Sequence, residues 1–239
     1  MSTKASTENF LFSEDWIIFQ DDDILVVNKP SGLLSVPGRL TDPSFCLVGR
    51  LPDNLQHCLI VHRLDMDTSG IMILAKHKDA HKHLSMQFQN RETQKHYHAL
   101  ISGYPSCHQG QTMLPMRCDW ENRPLQMIDF THGKTARTLW SIEETHRIPQ
   151  TNTFYSLVKL TPITGRSHQL RLHMKMLGHP ILGDNLYSDN LSYQLTKRLC
   201  LHATELTIQH PATHATLTFN QPINLNEYIN PILNGTNHA

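Results

Sequence analysis

The sequence predicts an α+β domain with a mixed, mostly antiparallel sheet and flanking helices and loops. Most of its apolar stretches are short and either alternate with polar residues or run without interruption, as half-buried and central strands do. Apolar residues at helical spacing occur near residues 80–88 and 170–177. The gaps between strand-like stretches are mostly of hairpin length, which favours antiparallel pairing over alternating βαβ units.

The first half of the chain supplies most of the expected strands and one helix. An acidic turn, Asp21–Asp23, separates the first two strands. A helix is expected in "KDAHKHLSMQFQNRET", because Ala80, Leu84 and Phe88 recur every four residues. The strands expected here are "WIIFQ", "ILVVN", a short one from residue 59, "IMILA" at residues 71–75, and "QKHYHALIS".

The second half begins with a loop-rich region, residues 106–134, which contains the unusual turn "CDWENRP". A helix is expected over Gln169–Leu177, because Leu170, Met174 and Leu177 recur at core-facing positions and a glycine follows. The strands expected here are "TARTLWSIEE", "TFYSLVKLTPI", "CLHATELTIQHP" and "ATLTFNQP".

Charge gives a weak indication of a phosphate-binding surface. The chain has 21 basic and 21 acidic residues, which cancel. Residues 29–200, however, carry 20 of the basic and 13 of the acidic groups, a net charge of +7. A moderately basic body can bind nucleic acid, although many enzymes of anionic metabolites have the same balance. The apolar fraction, 39%, and the charged fraction, 18%, are ordinary for a globular protein.

Cysteine and histidine usage argues against disulfides and metal. Five cysteines without a CxxC pair indicate free thiols in a reducing cytoplasm. The N-terminus lacks the basic and apolar regions of a secretory signal, so a cytoplasmic location is expected. None of the seventeen histidines stands in an HExxH motif, and His77 and His81 lie among lysines that would repel a cation, so no metal site is expected.

The stretch "VHRLDMDTSGIMILAK", residues 61–76, sets charged residues against a buried strand. An Asp before a turn often caps backbone N–H groups, and "DMD" could hold a divalent ion, although two carboxylates underdetermine one. Alternation in an extended segment would place Arg63 and Asp65 on the same face, which weakens both interpretations. The "TSG" that follows is better taken as a turn than as a nucleophile, because no base is placed beside it.

A second charged stretch, "PITGRSHQLRLHMKMLGHPILGD", occupies residues 162–184. Arg166 follows Gly165, which suits the close approach of a partner, although a solvated basic helix face would have the same residues. Arg171 lies beside core positions, so we expect it to be half-buried and to need a carboxylate, for which Asp65 is a candidate. Such a pair would lower the pKa of Asp65 and keep it an anion, and hence a nucleophile.

These stretches resemble the RluA family of RNA pseudouridine synthases. "HRLDMDTSGIMILAK" is similar to the catalytic signature of the family, and "PITGRSHQLRLHMKMLGHPILGD" to a second specific block. Further blocks, in the order of the family, are "VVNKPSGLLSVPGR", "QKHYHALISGYP", "CDWENRP" and "LCLHATELTIQHP", so the resemblance spans roughly residues 16–221. It implies the pseudouridine synthase catalytic fold and an enzyme that isomerises uridine without a metal, nucleotide or redox cofactor.

The resemblance also implies roles for individual residues. Asp65 would be the nucleophile, and the uracil would be detached from C1′, turned and rejoined through C5; attack on the sugar or on the base ring fits equally. Arg171 matches the arginine paired with the catalytic aspartate, and Tyr97 matches a tyrosine that stacks on the flipped uracil and helps to remove the C5 proton. Arg63 would fill the gap that the uridine leaves in its stack. The other implied substrate contacts are Leu201, Arg166 and His62.

The resemblance is greatest to the branch with dual specificity, which implies uridine 32 of a tRNA anticodon stem-loop and uridine 746 of a 23S rRNA hairpin as targets. A single, different tRNA or rRNA target stays open, as do an RNA-binding module without catalysis and a metal-dependent hydrolase using "DMD". We expect a polar N-terminal extension over residues 1–15, a catalytic domain over 16–221 and a polar tail over 222–239, without the S4-type RNA-binding domain of larger family members. The expected partner of this monomer is RNA, not DNA or a membrane.

Overall fold

The computed structural model describes residues 10–38, 42–148, 152–225 and 228, and strands dominate this part of the chain. The strands are β1 (Ile17–Gln20), β2 (Ile24–Lys29), β3 (Leu59–Ile60), β4 (Ser69–Ala75), β5 (Gln94–Ser102), β6 (Gln109–Thr112), β7 (Met116–Cys118), β8 (Gln126–Ile128), β9 (Thr138–Ile148), β10 (Thr153–Pro162), β11 (Leu201–Gln209) and β12 (Thr216–Asn220). The α-helices are α1 (Leu47–Arg50), α2 (Lys78–Asn90), α3 (Gln169–Met176) and α4 (Asn190–Gln194). Short 3₁₀ turns occupy Glu14–Trp16, Pro43–Phe45 and Asp53–Leu55.

One large sheet carries ten of these strands. Its order is β1-β2-β4-β11-β5-β10-β9-β6, with β12 also paired to β11 and β3 also paired to β4. Strands β4 and β11 run parallel, and the other pairings between these strands are antiparallel. Strands β7 and β8 form a separate two-stranded sheet. The predicted α+β fold with a mixed, mostly antiparallel sheet is therefore confirmed.

The parallel pair brings two strand starts to the same place. In its register His202 lies opposite Ser69, and Ala203 lies opposite Gly70. A Cβ on Gly70, which has a φ of +109°, would lie 2.3 Å from the Ala203 carbonyl oxygen, so only glycine permits this approach. Tyr97 of β5 is paired with Ala203 on the other side of β11. Three segments therefore meet within the middle of the sheet: the residues that precede β4, the first residues of β11 and the middle of β5.

Both predicted helices form, and the prediction is wrong only at the C-terminal end of the second one, α3. In α2, Ala80 and Leu84 are buried against the sheet as the spacing predicts. In α3, Leu170 and Met174 enter the main core cluster. The prediction that Leu177 faces the core is wrong, because α3 ends at Met176 and the Leu177 side chain is 36% exposed.

The loop-rich region 106–134 contains more regular structure than we expected. Strand β6 pairs with β9, and β7 pairs with β8 through only three residue pairs. An ion pair between Arg117 and Asp129 supports the β7–β8 hairpin. Strands of three residues do not establish a hydrophobic alternation, so the sequence pattern does not detect them.

Both ends of the described chain pack against the core. Phe10 and Phe12 contact one core cluster, while Ile223 and Leu225 contact another, which also contains the buried Tyr228. The rest of the predicted N-terminal extension and C-terminal tail lies largely outside the described residues. No helix in the described ranges combines the length and the apolarity needed to cross a lipid bilayer.

Candidate active site

A cleft of about 440 Å³ opens where β4, β5 and β11 meet the loop before α3. Two side chains of the sheet, Tyr97 and Leu201, lie beside the segment that precedes β4. The cleft brings together all seven residues that the sequence singled out: His62, Arg63, Asp65, Tyr97, Arg166, Arg171 and Leu201. Residues that are up to 139 positions apart in the chain, His62 and Leu201, therefore share one surface.

Residues 61–68, the catalytic loop, lie outside the strands and include a turn at residues 66 and 67, so their backbone is held by side chains and by a neighbouring loop. That neighbour is the bracing loop, residues 29–35. The Gly32 N–H donates to the Met66 carbonyl at 2.9 Å. The Ser35 hydroxyl donates to the Leu64 carbonyl at 2.7 Å and accepts the Leu64 N–H at 3.1 Å. These bonds fix the backbone on both sides of Asp65 without using its carboxylate.

Lys29 is fully buried beneath this junction. Its ammonium donates to the carbonyl oxygens of Pro30, Leu33 and Met66 at 2.8, 2.8 and 2.9 Å, which uses all three of its protons. Burial lowers the pKa of Lys29 to about 7, and the negative charges of Asp67 and Asp65 oppose that shift. Lys29 therefore joins the bracing loop to the catalytic loop at the cost of desolvating a cation.

We expect the Lys29→Met variant to lose about 1–3 kcal/mol of unfolding free energy, because three carbonyl oxygens lose their donor. Between about pH 7 and pH 10.5 the unfolded chain keeps a proton on Lys29 that the folded chain has released. The stability of the wild type should therefore rise with pH across this window, and the variant should lack that part of the rise. Urea denaturation at several pH values, with the exposed Lys82→Met as control, measures both effects. A pH dependence that is the same in Lys29→Met and the wild type would contradict the assignment.

The Asp65 side chain lines the cleft and is partly buried. Within the described ranges, no hydrogen bond or ion pair reaches its oxygens. Its backbone carbonyl accepts the Thr68 N–H at 3.1 Å, which closes the turn before β4. The carboxylate is thus positioned by its backbone and left available to a ligand.

The expected ion pair between Arg171 and Asp65 does not form. Arg171 is 2% exposed and makes a two-pronged contact with the buried Asp184, at 2.8 Å from Nε and 2.6 Å from a terminal nitrogen. Burial by itself would lower the pKa of Arg171, but the contact with Asp184 raises it, with smaller contributions from the Asp65 and Asp67 charges. Arg171 therefore acts on Asp65 through space, while Asp184 neutralises and orients it.

Tyr97 and Leu201 form an apolar wall beside Asp65. Leu201 is buried at the start of β11, and Tyr97 packs against two core clusters. Burial, and then the Asp65 charge, raise the pKa of Tyr97 well above its usual value. The Tyr97 hydroxyl, like that of an ordinary tyrosine, is protonated at neutral pH, and burial and the Asp65 charge make its deprotonation still less favourable.

His62 lines the cleft as a neutral side chain. Its Nε2 accepts the Ile73 N–H at 3.0 Å, and its ring stacks on Phe88 at 4.4 Å between centroids. Burial, with a contribution from the Lys95 charge, lowers the pKa of His62 to about 3. Since Nε2 is an acceptor, the proton of the neutral ring is on Nδ1. His62 ties the catalytic loop to β4.

The cleft is strongly cationic despite the zero net charge of the chain. Arg63 is exposed and donates to the Ser167 hydroxyl at 2.9 Å, and Arg166 donates to the Thr135 carbonyl at 3.2 Å. Asp65 is the one carboxylate among the described residues that line the cleft. The cationic residues that line it are Arg63, Arg91, Lys95, Arg166 and Arg171. Such a lining favours a polyanion.

Sequence reasoning missed three parts of the site. Asp184 ends the second charged stretch, but nothing in its spacing indicated that it would pair with Arg171. The bracing loop was noticed only as part of one of several stretches that resemble the family, and its supporting role was not predicted. Its Lys-Pro-Ser-Gly run could have indicated a constrained turn. Thr68, taken as a turn residue, also lines the cleft, and its buried hydroxyl has no hydrogen-bond partner in the part of the chain that the structure describes.

A possible metal-binding group lies outside the cleft. In the described ranges, Asp21, Asp23 and His210 bring their ligand atoms within 4.8 Å of one another. His210 accepts backbone N–H groups of Ala212 and Thr213 on Nδ1, so the proton of its neutral ring is on Nε2, which donates to Asp21 at 2.9 Å. That nitrogen is occupied by a proton, and we assign the group as a hydrogen-bonded junction between two turns.

Comparison with known proteins identifies related chains. Residues 23–176 match the family model described as RNA pseudouridylate synthase. The chain is 52% identical over 204 residues to the dual-specificity RNA pseudouridine synthase RluA of Haemophilus influenzae, covering 85% of this chain and 91% of that protein. It is 47% identical over 211 residues to RluA of Escherichia coli, covering 87% and 94%. Among solved structures, human RNA pseudouridylate synthase domain containing 1 is similar, with a TM-score of 0.74, 27% identity and coverage of 93% of this chain and 86% of that one.

Proposed function

This chain belongs to the RNA pseudouridylate synthase family, and we propose that it converts one uridine in a tRNA anticodon stem-loop and one in a 23S rRNA hairpin through Asp65. The observation that carries the proposal is the cleft itself. A single carboxylate without a protein partner in the described ranges shares the cleft with a neutral tyrosine and a buried leucine, inside a cationic lining. That combination supplies a nucleophile, a surface for a nucleobase and binding for phosphates.

The reaction needs no added atoms. The bond from C1′ to N1 of the uracil breaks, a bond from C1′ to C5 forms, C5 loses a proton and N1 gains one. Asp65 supplies the nucleophile, and the Arg171 guanidinium lies near enough for the two charges to attract each other. Tyr97 provides a face on which the detached uracil stacks while it turns, and its protonated hydroxyl can exchange a proton once a base is present.

The target uridine must leave its stack to reach Asp65, which is partly buried in the cleft. Arg63 is exposed at the cleft, so its planar guanidinium can occupy the space that the uridine leaves and stack on the neighbouring bases. The cationic lining would contact phosphates and position the loop, whereas the shape of the loop would decide which uridine is extruded. Two RNAs with the same local loop shape could then share one enzyme.

We expect the purified protein to form one pseudouridine in an isolated anticodon stem-loop and one in the matching 23S rRNA hairpin. It should need neither a ribosome nor a cofactor, and EDTA should not inhibit it. Chemical mapping of pseudouridine in the two synthetic RNAs measures conversion, and RNAs with cytidine at the target position are the controls. Conversion of only one RNA would contradict dual specificity, and conversion of neither would contradict the proposed substrates.

A further inference from the structure

We propose that Arg91 and Lys95 form a subsite for an RNA phosphate next to the extruded uridine. This proposal rests on the proposed function, because it assigns a place to the backbone of that substrate. It concerns the end of the cleft that is lined by Phe88, Arg91 and Lys95. A second cavity of about 330 Å³ shares Arg63 and Asp65 with the cleft but is lined by neither Arg91 nor Lys95. The subsite is therefore distinct from the part of the cleft that contains Arg63.

The first observation is a pair of like charges without a counterion. Within the described ranges, neither the Arg91 nor the Lys95 side chain makes an ion pair or a hydrogen bond. The nearest acidic residue in the sequence, Glu92, instead accepts a hydrogen bond from Asn90 at 3.1 Å. Burial, and then the charge of Arg91, lower the pKa of Lys95. Two cations that destabilise each other in the free protein gain most from an anionic ligand.

The second observation is the backbone of Arg91. This residue ends α2 with φ +63° and ψ +36°, in the left-handed region where glycine is the favoured residue. An arginine there carries a conformational cost that a glycine would avoid, and among the described residues no hydrogen bond or ion pair to its guanidinium offsets that cost. A non-glycine residue held in this region at the edge of a cleft is typical of a functional position.

The surroundings of Lys95 leave room for a phosphate. Its Nζ lies over the Phe88 ring, 5.6 Å from the ring centroid. Gly165 also lines the cleft, and the one heavy atom that an added Cβ there would meet within 4 Å among the described residues is the Lys95 Nζ, at 4.0 Å. A ligand oxygen can therefore reach the ammonium beside the backbone of Gly165, and the same charge lies near His62, whose ring stays neutral.

Two variants test the subsite, with binding measured in an Asp65→Asn background so that the RNA is not converted. Lys95→Met removes the charge and keeps an unbranched apolar side chain next to Phe88, while Arg91→Gly removes the charge and suits the left-handed backbone. Each should bind the stem-loop about tenfold more weakly. Each should also reduce the slope of log affinity against log salt concentration by about 0.7. The matched control is Lys82→Met, an exposed lysine on α2 outside the cleft, which should change neither quantity.

Stability separates ligand binding from a structural role. Because each variant relieves repulsion or backbone strain, the melting temperature of the free protein should stay the same or rise. A fall in melting temperature that accounts for the weaker binding would overturn the proposal. Lys95→Arg, which keeps the charge, should restore most of the affinity; failure to do so would also count against a phosphate contact.

A neutral linkage in the RNA backbone should identify the phosphate that binds to the subsite. A series of stem-loops, each with one methylphosphonate near the target uridine, should include one linkage whose neutralisation weakens binding by the same factor as Lys95→Met. That linkage and Lys95→Met should be non-additive when combined. The subsite is wrong if the effect of every neutral linkage on binding adds fully to that of Lys95→Met. It is also wrong if the variants bind the RNA as tightly as the parent does. Pseudouridine formation by the wild type in the same RNA shows whether the proposed function holds, independently of the subsite.

Discussion

The Asp65→Asn variant should form no detectable pseudouridine, a loss of at least about 10³-fold, while it binds the RNA within about tenfold of the wild type. The change removes the proposed nucleophile and leaves the shape of the side chain. The backbone of the catalytic loop should not move, because its hydrogen bonds come from Gly32, Ser35 and Lys29 and not from the Asp65 carboxylate. Single-turnover conversion and equilibrium binding of the same stem-loop measure the two quantities.

Asp67→Asn is the matched control for this experiment. It removes a carboxylate two positions away in the same loop, and its backbone carbonyl, which accepts the Ser31 hydroxyl at 2.6 Å, is unchanged. We expect this variant to retain most of the activity. Substantial conversion by Asp65→Asn would contradict a nucleophilic role. An equal loss in Asp67→Asn would instead indicate that the total charge of the loop, rather than one carboxylate, is what matters.

The sequence predicted the parts of the molecule that depend on local pattern. The stripe of Ala80 and Leu84 gave α2, and the acidic turn at Asp21–Asp23 separated β1 from β2 as expected. The stretches around Asp65 and Arg171 were also identified, because charged residues beside apolar runs are costly unless they have a use. Local pattern does not report where a helix ends to within a residue, and Leu177 shows the consequence.

Local sequence pattern could not identify interaction partners that are far apart in the sequence. The support of Asp65 comes from Lys29 and Gly32, more than thirty residues earlier, and depends on the antiparallel pairing of β2 with β4. Arg171 was expected to need a carboxylate, which was correct, but the choice of Asp184 over Asp65 depends on how the chain turns after α3. A sequence can therefore indicate that a buried charge needs compensation without indicating which residue supplies it.

Loss of the ion pair between Arg171 and Asp184 should have a large effect on the free energy of unfolding. In Arg171→Ala the buried Asp184 carboxylate loses its cation, which should cost roughly 3–5 kcal/mol of unfolding free energy and lower the melting temperature markedly. Asp184→Asn should be destabilising for the converse reason, because the buried guanidinium is left without a counterion. Thermal and urea denaturation measure these changes. An unchanged stability in both variants would show that the pair is solvated and not buried.

Activity should be lost in both variants, but loss of stability alone could explain that. The double variant Arg171→Met with Asp184→Leu separates the two effects, since replacing both members of a buried pair with apolar residues removes the uncompensated charge. It should recover part of the stability. The recovery should be incomplete, because the backbone N–H groups of Leu186 and Tyr187, which donate to Asp184 in the wild type, lose that acceptor. It should not recover activity, because the cation that acts on Asp65 through space is still missing. A stable double variant with normal activity would show that Arg171 only supports the fold. A stable and inactive one would assign to Arg171 an electrostatic effect on the nucleophile, exerted by a guanidinium whose direct partner is Asp184.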